Sequence, residues 1–230
     1  MRKKIGLSKL EVVCVLSIFF VVFLVFHATA NMSREHAKRQ VCANNLRINA
    51  TAIVNYAQEH YNYAPRDNHN FPWLQDLSAE KANDLMDYGA NPYTFFCPSD
   101  LGYNTYKNPG SIQWTEYVSY EIISSYFWMM QNYTTPPSGS GDKQWIITID
   151  VANPGITELL TDGQFSDGDQ PESNYSYVTA GSLYVDYTNH RQGARGCAGG
   201  NIGFVDTHVQ WRPFAEMEHR WSGSKPYHWW

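Results

Sequence analysis

The apolar run Val12 to Phe26 constrains this chain more than any other stretch. Fifteen residues without a charge follow Arg2, Lys3 and Lys4, a glycine at position 6 and a single carboxylate at Glu11. A cleaved secretory signal places its cut after the apolar region, at a small-residue pattern, and has no reason to carry an acid at the entrance. Here that order is inverted. Counted with Leu10 and Ala28 to Ala30, the run reaches the length of one membrane-crossing helix, its Lys/Arg end kept in the cytoplasm. An ionisable group at the centre of a bilayer costs about 2.5–3.5 kcal/mol on insertion scales, so Glu11 needs a shallow position or a partner. The plainest reading of this stretch is an uncleaved signal anchor.

Beyond the run the helical pattern continues. Ser33 to Tyr61 holds no Pro or Gly, and Val41, Ile48, Ala52 and Tyr56 recur at sevens and fours, which predicts one apolar face. A single helix from Leu7 to His60 is about 80 Å long at 1.5 Å per residue, too long for the core helix of a globular domain. Arg34-Glu35-His36-Ala37-Lys38-Arg39 reads as a solvated helix face. Pro65 and Pro72 end the pattern, and Leu74 to Tyr88, with Ser78 near its start and Gly89 after it, predicts a short glycine-capped helix.

The remainder reads as strand and turn. Strands are expected within Tyr117–Met130, Gln144–Ile149, Ile156–Thr161, Tyr175–Thr179, Ser182–Tyr187 and Asn201–Trp211, with a loop at Pro136–Asp142. The tail, with Trp221, Trp229 and Trp230, is expected to pack on this β-rich head. A formal charge of −5 without a basic patch argues against nucleic acid as the main partner. Aromatic residues make up 15% of the chain and lie among Asn, Ser, Thr and Gly, which suits an extracytoplasmic β-rich domain. The fold class expected is α+β: a long N-terminal helix, membrane-embedded in its first half, packed on a C-terminal antiparallel sheet.

The first eleven residues resemble the type III signal of type IV pilins and type II secretion pseudopilins. Gly6 stands before the cut, Leu7 is a hydrophobic first mature residue, and Glu11 is the fifth mature residue. The likeness recurs at Cys42-Ala43-Asn44-Asn45-Leu46-Arg47, at Cys97-Pro98-Ser99-Asp100 and at Gly199-Gly200-Asn201-Ile202-Gly203-Phe204-Val205-Asp206-Thr207-His208-Val209. These are similar to landmarks of prepilin-like proteins that end in a His…Asp-Gly signature, in which Gly stands where this chain has Thr207. The resemblance implies a pilin-like fold divided into a leader (1–6), a filament-core helix half (7–30), a head-packing helix half (31–62) and a globular head (63–230). It further implies cleavage by a prepilin peptidase and methylation of the Leu7 amine. It then implies assembly with other subunits of a pilus or secretion pseudopilus, Glu11 meeting a neighbour's amine. The protein would be a single-pass inner-membrane subunit with a periplasmic head, or part of an extracellular filament, and not an enzyme.

Because Cys42 and Cys97 belong to two of those landmarks, the resemblance implies a disulfide between them, leaving Cys197 as the odd thiol; a Cys97–Cys197 pairing stays open. Cys14 lies in the apolar run as a small apolar residue. No Cys-x-x-Cys pair supports a zinc ribbon. His190, Asp206 and His208 are metal-ligand types, and a metal-dependent hydrolase could be built on them; the favoured reading is that Asp206 and His208 close a turn, with no metal. Asp162 to Asp169 is acidic and glycine-rich in the manner of a calcium loop but lacks EF-hand spacing. A further alternative is a membrane-anchored binding module whose exposed Tyr and Trp residues take a surface ligand.

Overall fold

The structure is a computed structural model that describes residues 8–66, 73–104, 121–130, 146–170, 173–179, 185–194, 196–221 and 225–230. Gly6, Leu7, Pro72, the expected loop at Pro136–Asp142 and parts of three expected strands lie outside the described residues. The chain divides into two compact units, one up to Ala37 and one from Lys38 to Trp230.

One helix, α1 (Lys9–Glu59, 51 residues), contributes to both units. In the first unit Leu10 and every large apolar residue from Val12 to Phe26 is solvent-facing, from 41% exposed at Val12 to 74% at Phe26. A window of this helix reaches a mean hydropathy of 2.7 with none of it buried, so it is long and apolar enough to cross a membrane.

In the second unit α1 is a core element. Cys42, Leu46, Asn49, Ala50, Ile53 and Ala57 are buried, spaced by threes and fours as one helical stripe requires. This corrects the expected face in part. Ala52 is buried as expected, but Val41 is 49% exposed and Ile48 and Tyr56 are only half-buried, so the inward stripe runs through 42/49/53/57 rather than 41/48/56. The helix stops at Glu59, ahead of Pro65, because Tyr61 and Asn62 adopt left-handed backbone (φ 55° and 65°) and Asn62 N–H donates to the Ala57 carbonyl at 2.7 Å.

The short helix α2 (Ala79–Asp87) forms where Ser78 and Gly89 predicted it. Ser78 Oγ accepts from Lys81 N–H at 3.1 Å. At the other end Gly89 takes φ 108°, and Ala90 N–H and Gly89 N–H donate to the Leu85 and Met86 carbonyls, the paired bonds of a Schellman cap.

The head is a set of short antiparallel sheets. β1 (Asp76–Ser78) pairs with β2 (Glu121–Ile123). The central sheet takes β3 (Tyr126–Trp128) and β4 (Glu158–Asp162). After β5 (Phe165–Ser166) come two hairpins, β6 (Tyr177–Thr179) with β7 (Val185–Tyr187) and β8 (Arg191–Gln192) with β9 (Gly196–Cys197). The next hairpin, β10 (Gly199–Phe204) with β11 (Val209–Pro213), completes the central sheet in the order β11-β10-β4-β3. The tail adds β12 (His219–Trp221) and β13 (Tyr227–Trp229), which join β5 in a three-stranded sheet. The layout is therefore α+β, a long N-terminal helix followed by antiparallel sheets.

Two differences from expectation stand out. Asn201–Trp211 is not one strand but the greater part of the β10–β11 hairpin. Ile146 and Thr148 make isolated bridges, to Met130 and Tyr63, rather than a strand. The tail does pack on the head: Trp230 is buried, and Trp229 Nε1 donates to Ser166 Oγ at 2.7 Å. Buried Phe127, Phe165 and His228 meet at ring-centroid separations of 4.8–5.4 Å beside Trp230.

Candidate functional site

Three places hold the described residues singled out from the sequence: the start of α1, a buried centre in the head and the β10–β11 turn. At the start, Ser8 and Glu11 form a reciprocal capping box. Ser8 N–H donates to Glu11 Oε2 at 2.6 Å and Glu11 N–H donates to Ser8 Oγ at 3.3 Å, which satisfies two amides that the first turn leaves without helical partners. In the single chain Glu11 thus has a local structural role as N3 of the helix.

The buried centre is made by the three landmark segments. Cys42 and Cys97 form a disulfide, Cα–Cα 5.3 Å, closing a span of 55 residues; the Cys97–Cys197 pairing is not made. The same face of α1 holds the segment before Cys97 by two amides. Asn45 Nδ2 donates to the Phe96 carbonyl at 3.0 Å, and Asn49 Nδ2 donates to the Thr94 carbonyl at 2.7 Å. Thr94 Oγ1 donates back to Asn49 Oδ1 at 3.0 Å. Positions 42, 45 and 49 share one helix face, so Cys42, Asn45 and Asn49 bind Cys97, Phe96 and Thr94 in antiparallel order.

The third landmark arrives on β10. A Cβ at Gly200 would lie 3.0 Å from Asp162 Cβ and 2.9 Å from Gln164 Nε2, so the bare backbone there lets β10 close on the end of β4. Asn201 then turns both its backbone N–H (2.7 Å) and its Nδ2 (2.9 Å) to Asp162 Oδ2. Asn189 Nδ2 reaches Asp162 Oδ1 at 3.2 Å, and His190 Nε2 stands 3.2 Å from Oδ2, with both side chains of that pair fully buried. His190 Nε2 is also 3.6 Å from Cys97 Sγ. On the far side Asp100, from the Cys97-Pro98-Ser99-Asp100 segment, accepts from Ser125 Oγ at 2.7 Å, and Ser125 presents its carbonyl to Asn189 Nδ2. A buried carboxylate ringed by donors is tolerated because its hydrogen bonds replace the water it has lost.

The structure separates the proposed triad. Asp206 and His208 lie together in the β10–β11 turn, Nδ1 to Oδ1 2.5 Å, with His208 N–H also donating to Oδ1 at 3.1 Å. His190 belongs instead to Asp162 and the disulfide. His208 holds the Asp206 carboxyl below its usual range through the side-chain hydrogen bond, and both are exposed, so this pair closes a turn as the sequence favoured. Thr207 sits at φ 70°, the left-handed region where a β-branched residue is strained and glycine is not. Thr207→Gly is therefore expected to stabilise the chain by about 0.5–1 kcal/mol, the relief of strain exceeding the added flexibility of the unfolded state. A thermal midpoint raised by roughly 1–4 °C is the readout; an unchanged or lowered midpoint refutes it.

The acidic segment Asp162 to Asp169 does not converge on a cation. Asp162 faces inward as described, Asp167 Oδ1 accepts from Asn174 N–H at 2.8 Å, and Asp169 Oδ1 accepts from Gln170 Nε2 at 2.9 Å. Cys197 is a free buried thiol whose S–H points to Gln164 Oε1 at 2.5 Å. Burial pushes it up to about 12, so the nucleophilic thiolate is absent at neutral pH. Native protein at pH 8 is expected to alkylate at Cys197 at least about a hundredfold more slowly than urea-unfolded protein; comparable rates refute this burial.

The donors around Asp162 come from residues 189–201, far from it in sequence. Their type gave no local signal, although the Gly-Gly-Asn of the third landmark marked the strand that supplies two of them. Comparison with protein-family models, with curated proteins and with solved structures finds no match for this chain.

Proposed function

We propose that this chain is a prepilin-like subunit, cleaved after Gly6 and assembled through its N-terminal helix into a pilus or secretion pseudopilus. The observation that carries the proposal is the contrast along one helix: an entirely exposed apolar half from Leu10 to Phe26, and a half from Cys42 to Ala57 buried in the head. An apolar helix surface of that size needs a bilayer or neighbouring helices to cover it. The leader residues and Glu11, read with that contrast, favour both in turn: bilayer before assembly, neighbouring subunits after it. The head faces the periplasm, and its buried polar centre serves stability. The chain needs no chemistry of its own in this role.

Intact mass with N-terminal sequencing of the membrane-extracted protein tests the proposal. A chain starting at methylated Leu7 is expected in cells that contain a prepilin peptidase. A chain starting at Met1 in those cells overturns it and favours the anchored binding module. That second reading has one supporting feature, a pocket of about 290 Å3 lined by Tyr56, His60, Tyr61, Tyr63 and Arg66.

A further inference from the structure

The buried centre holds a second chemistry besides the disulfide. Among the described residues, one group of three or more His, Cys, Asp or Glu side chains brings its donor atoms together: Cys42 Sγ, Cys97 Sγ, Asp162 and His190, all within 4.8 Å of one another and all buried. We infer that in the dithiol state these four side chains form a tetrahedral zinc site, so that the head can be fastened at one point either by a disulfide or by a metal.

Geometry carries the inference. Tetrahedral zinc, with bonds of about 2.3 Å to sulfur, 2.0–2.1 Å to nitrogen and 2.0–2.2 Å to oxygen, sets sulfur–nitrogen edges at about 3.6 Å and nitrogen–oxygen edges at about 3.4 Å. His190 Nε2 stands 3.6 Å from Cys97 Sγ and 3.2 Å from Asp162 Oδ2. Two edges of the tetrahedron are thus already in place. Once the Cys42–Cys97 bond is reduced, the two sulfurs must part to about 3.8 Å, and the remaining donor atoms already lie within 4.8 Å of one another.

The surroundings suit a closed structural site. The ligands come from α1, the segment after Phe96, β4 and the turn after β7, so a metal would tie four separate pieces of chain. Asn201 and Asn189 hold the carboxylate by three hydrogen bonds, the outer-shell support that orients a ligand and raises affinity. All four ligands are buried, which leaves no open position for water, as structural rather than catalytic zinc sites have it.

The chemistry balances with a phosphine as reductant: disulfide, phosphine and water yield two thiols and the phosphine oxide. Zinc then displaces the two thiol protons to solvent, giving two thiolates, one carboxylate and a neutral imidazole around the ion. The inference rests on residues of the second unit, Lys38 to Trp230, alone and is independent of how the apolar first part of α1 is used.

The test uses the full chain in detergent. One sample is kept oxidised and one is reduced with phosphine in urea; each is returned to buffer with one equivalent of zinc, dialysed and analysed for metal. Expected are one zinc per reduced chain and none per oxidised chain. Cobalt in place of zinc is expected to give thiolate charge-transfer bands and the intense visible absorption of a tetrahedral ion. His190→Ala is expected to weaken binding at least tenfold, while Cys197→Ser leaves it unchanged. Zinc well below one per reduced chain, or cobalt spectra of octahedral strength, overturns the inference. So does equal zinc uptake by chain held in urea, which marks unstructured thiol chelation. The wild-type spectra decide the matter even where a variant fails to fold.

Discussion

Glu11→Ala is expected to abolish filament assembly while leaving the protein in the membrane. Two roles for the carboxylate have to be separated. As N3 of the capping box it contributes with Ser8 to the first turn of α1, and loss of such a cap costs about 1 kcal/mol. In the proposed assembly, where it would partner a neighbour's terminal amine within a low-dielectric bundle, it would contribute far more, since breaking a buried pair costs about 3–5 kcal/mol, a factor of at least about a hundred in an equilibrium constant. Ser8→Ala removes one bond of the cap and keeps the carboxylate. Assembled material recovered from cells, normalised to membrane-bound subunit, should fall at least a hundredfold for Glu11→Ala and no more than about tenfold for Ser8→Ala. Equal losses would assign Glu11 to the cap alone; no loss in either would leave a plain anchor.

Asp162→Ala is expected to destabilise the head by about 3–5 kcal/mol, a large part of the 5–15 kcal/mol typical of a folded domain. The substitution removes the common acceptor of the Asn201 backbone N–H, the Asn201 amide and the Asn189 amide. It also leaves His190 beside a cavity in a fully buried site. Orphaned buried donors lose their full desolvation cost, about 1–3 kcal/mol each before relaxation. Asp162→Asn keeps the shape but must turn an amide donor toward a donor, so it should be nearly as damaging. Urea denaturation of the full chain in detergent, with the disulfide intact, measures both. A shift below about 1 kcal/mol for the alanine variant would show that the polar ring is not what holds the landmarks together.

The errors of sequence reading have identifiable causes. The expected face of α1 was off by one residue at Val41, Ile48 and Tyr56, though not at Ala52, because those three are larger apolar groups than the inward Cys42 and Asn49. The inward positions are chosen by a covalent partner and by Thr94, both of which lie more than forty residues away in sequence. Within Asn201–Trp211 the turn at Asp206 and His208 was legible from residue type, but the extent of the two strands it joins was not, because Thr207 stands where glycine would have announced the break. His190 was grouped with Asp206 and His208 by residue type; its own left-handed backbone (φ 52°) and its burial direct it to Asp162.

What the sequence determined by itself is local. An uncharged run of fifteen residues makes a helix that water cannot cover, and Ser78 with Gly89 bounds α2, because periodicity and capping act between residues three to five apart. Only the tertiary structure decided that three landmarks spread from Cys42 to Asn201 share one buried centre. Their donors and acceptors carry no mark of which distant partner they satisfy; that is settled when the helix, the Cys97 segment and β10 exclude water together and each polar group must find another.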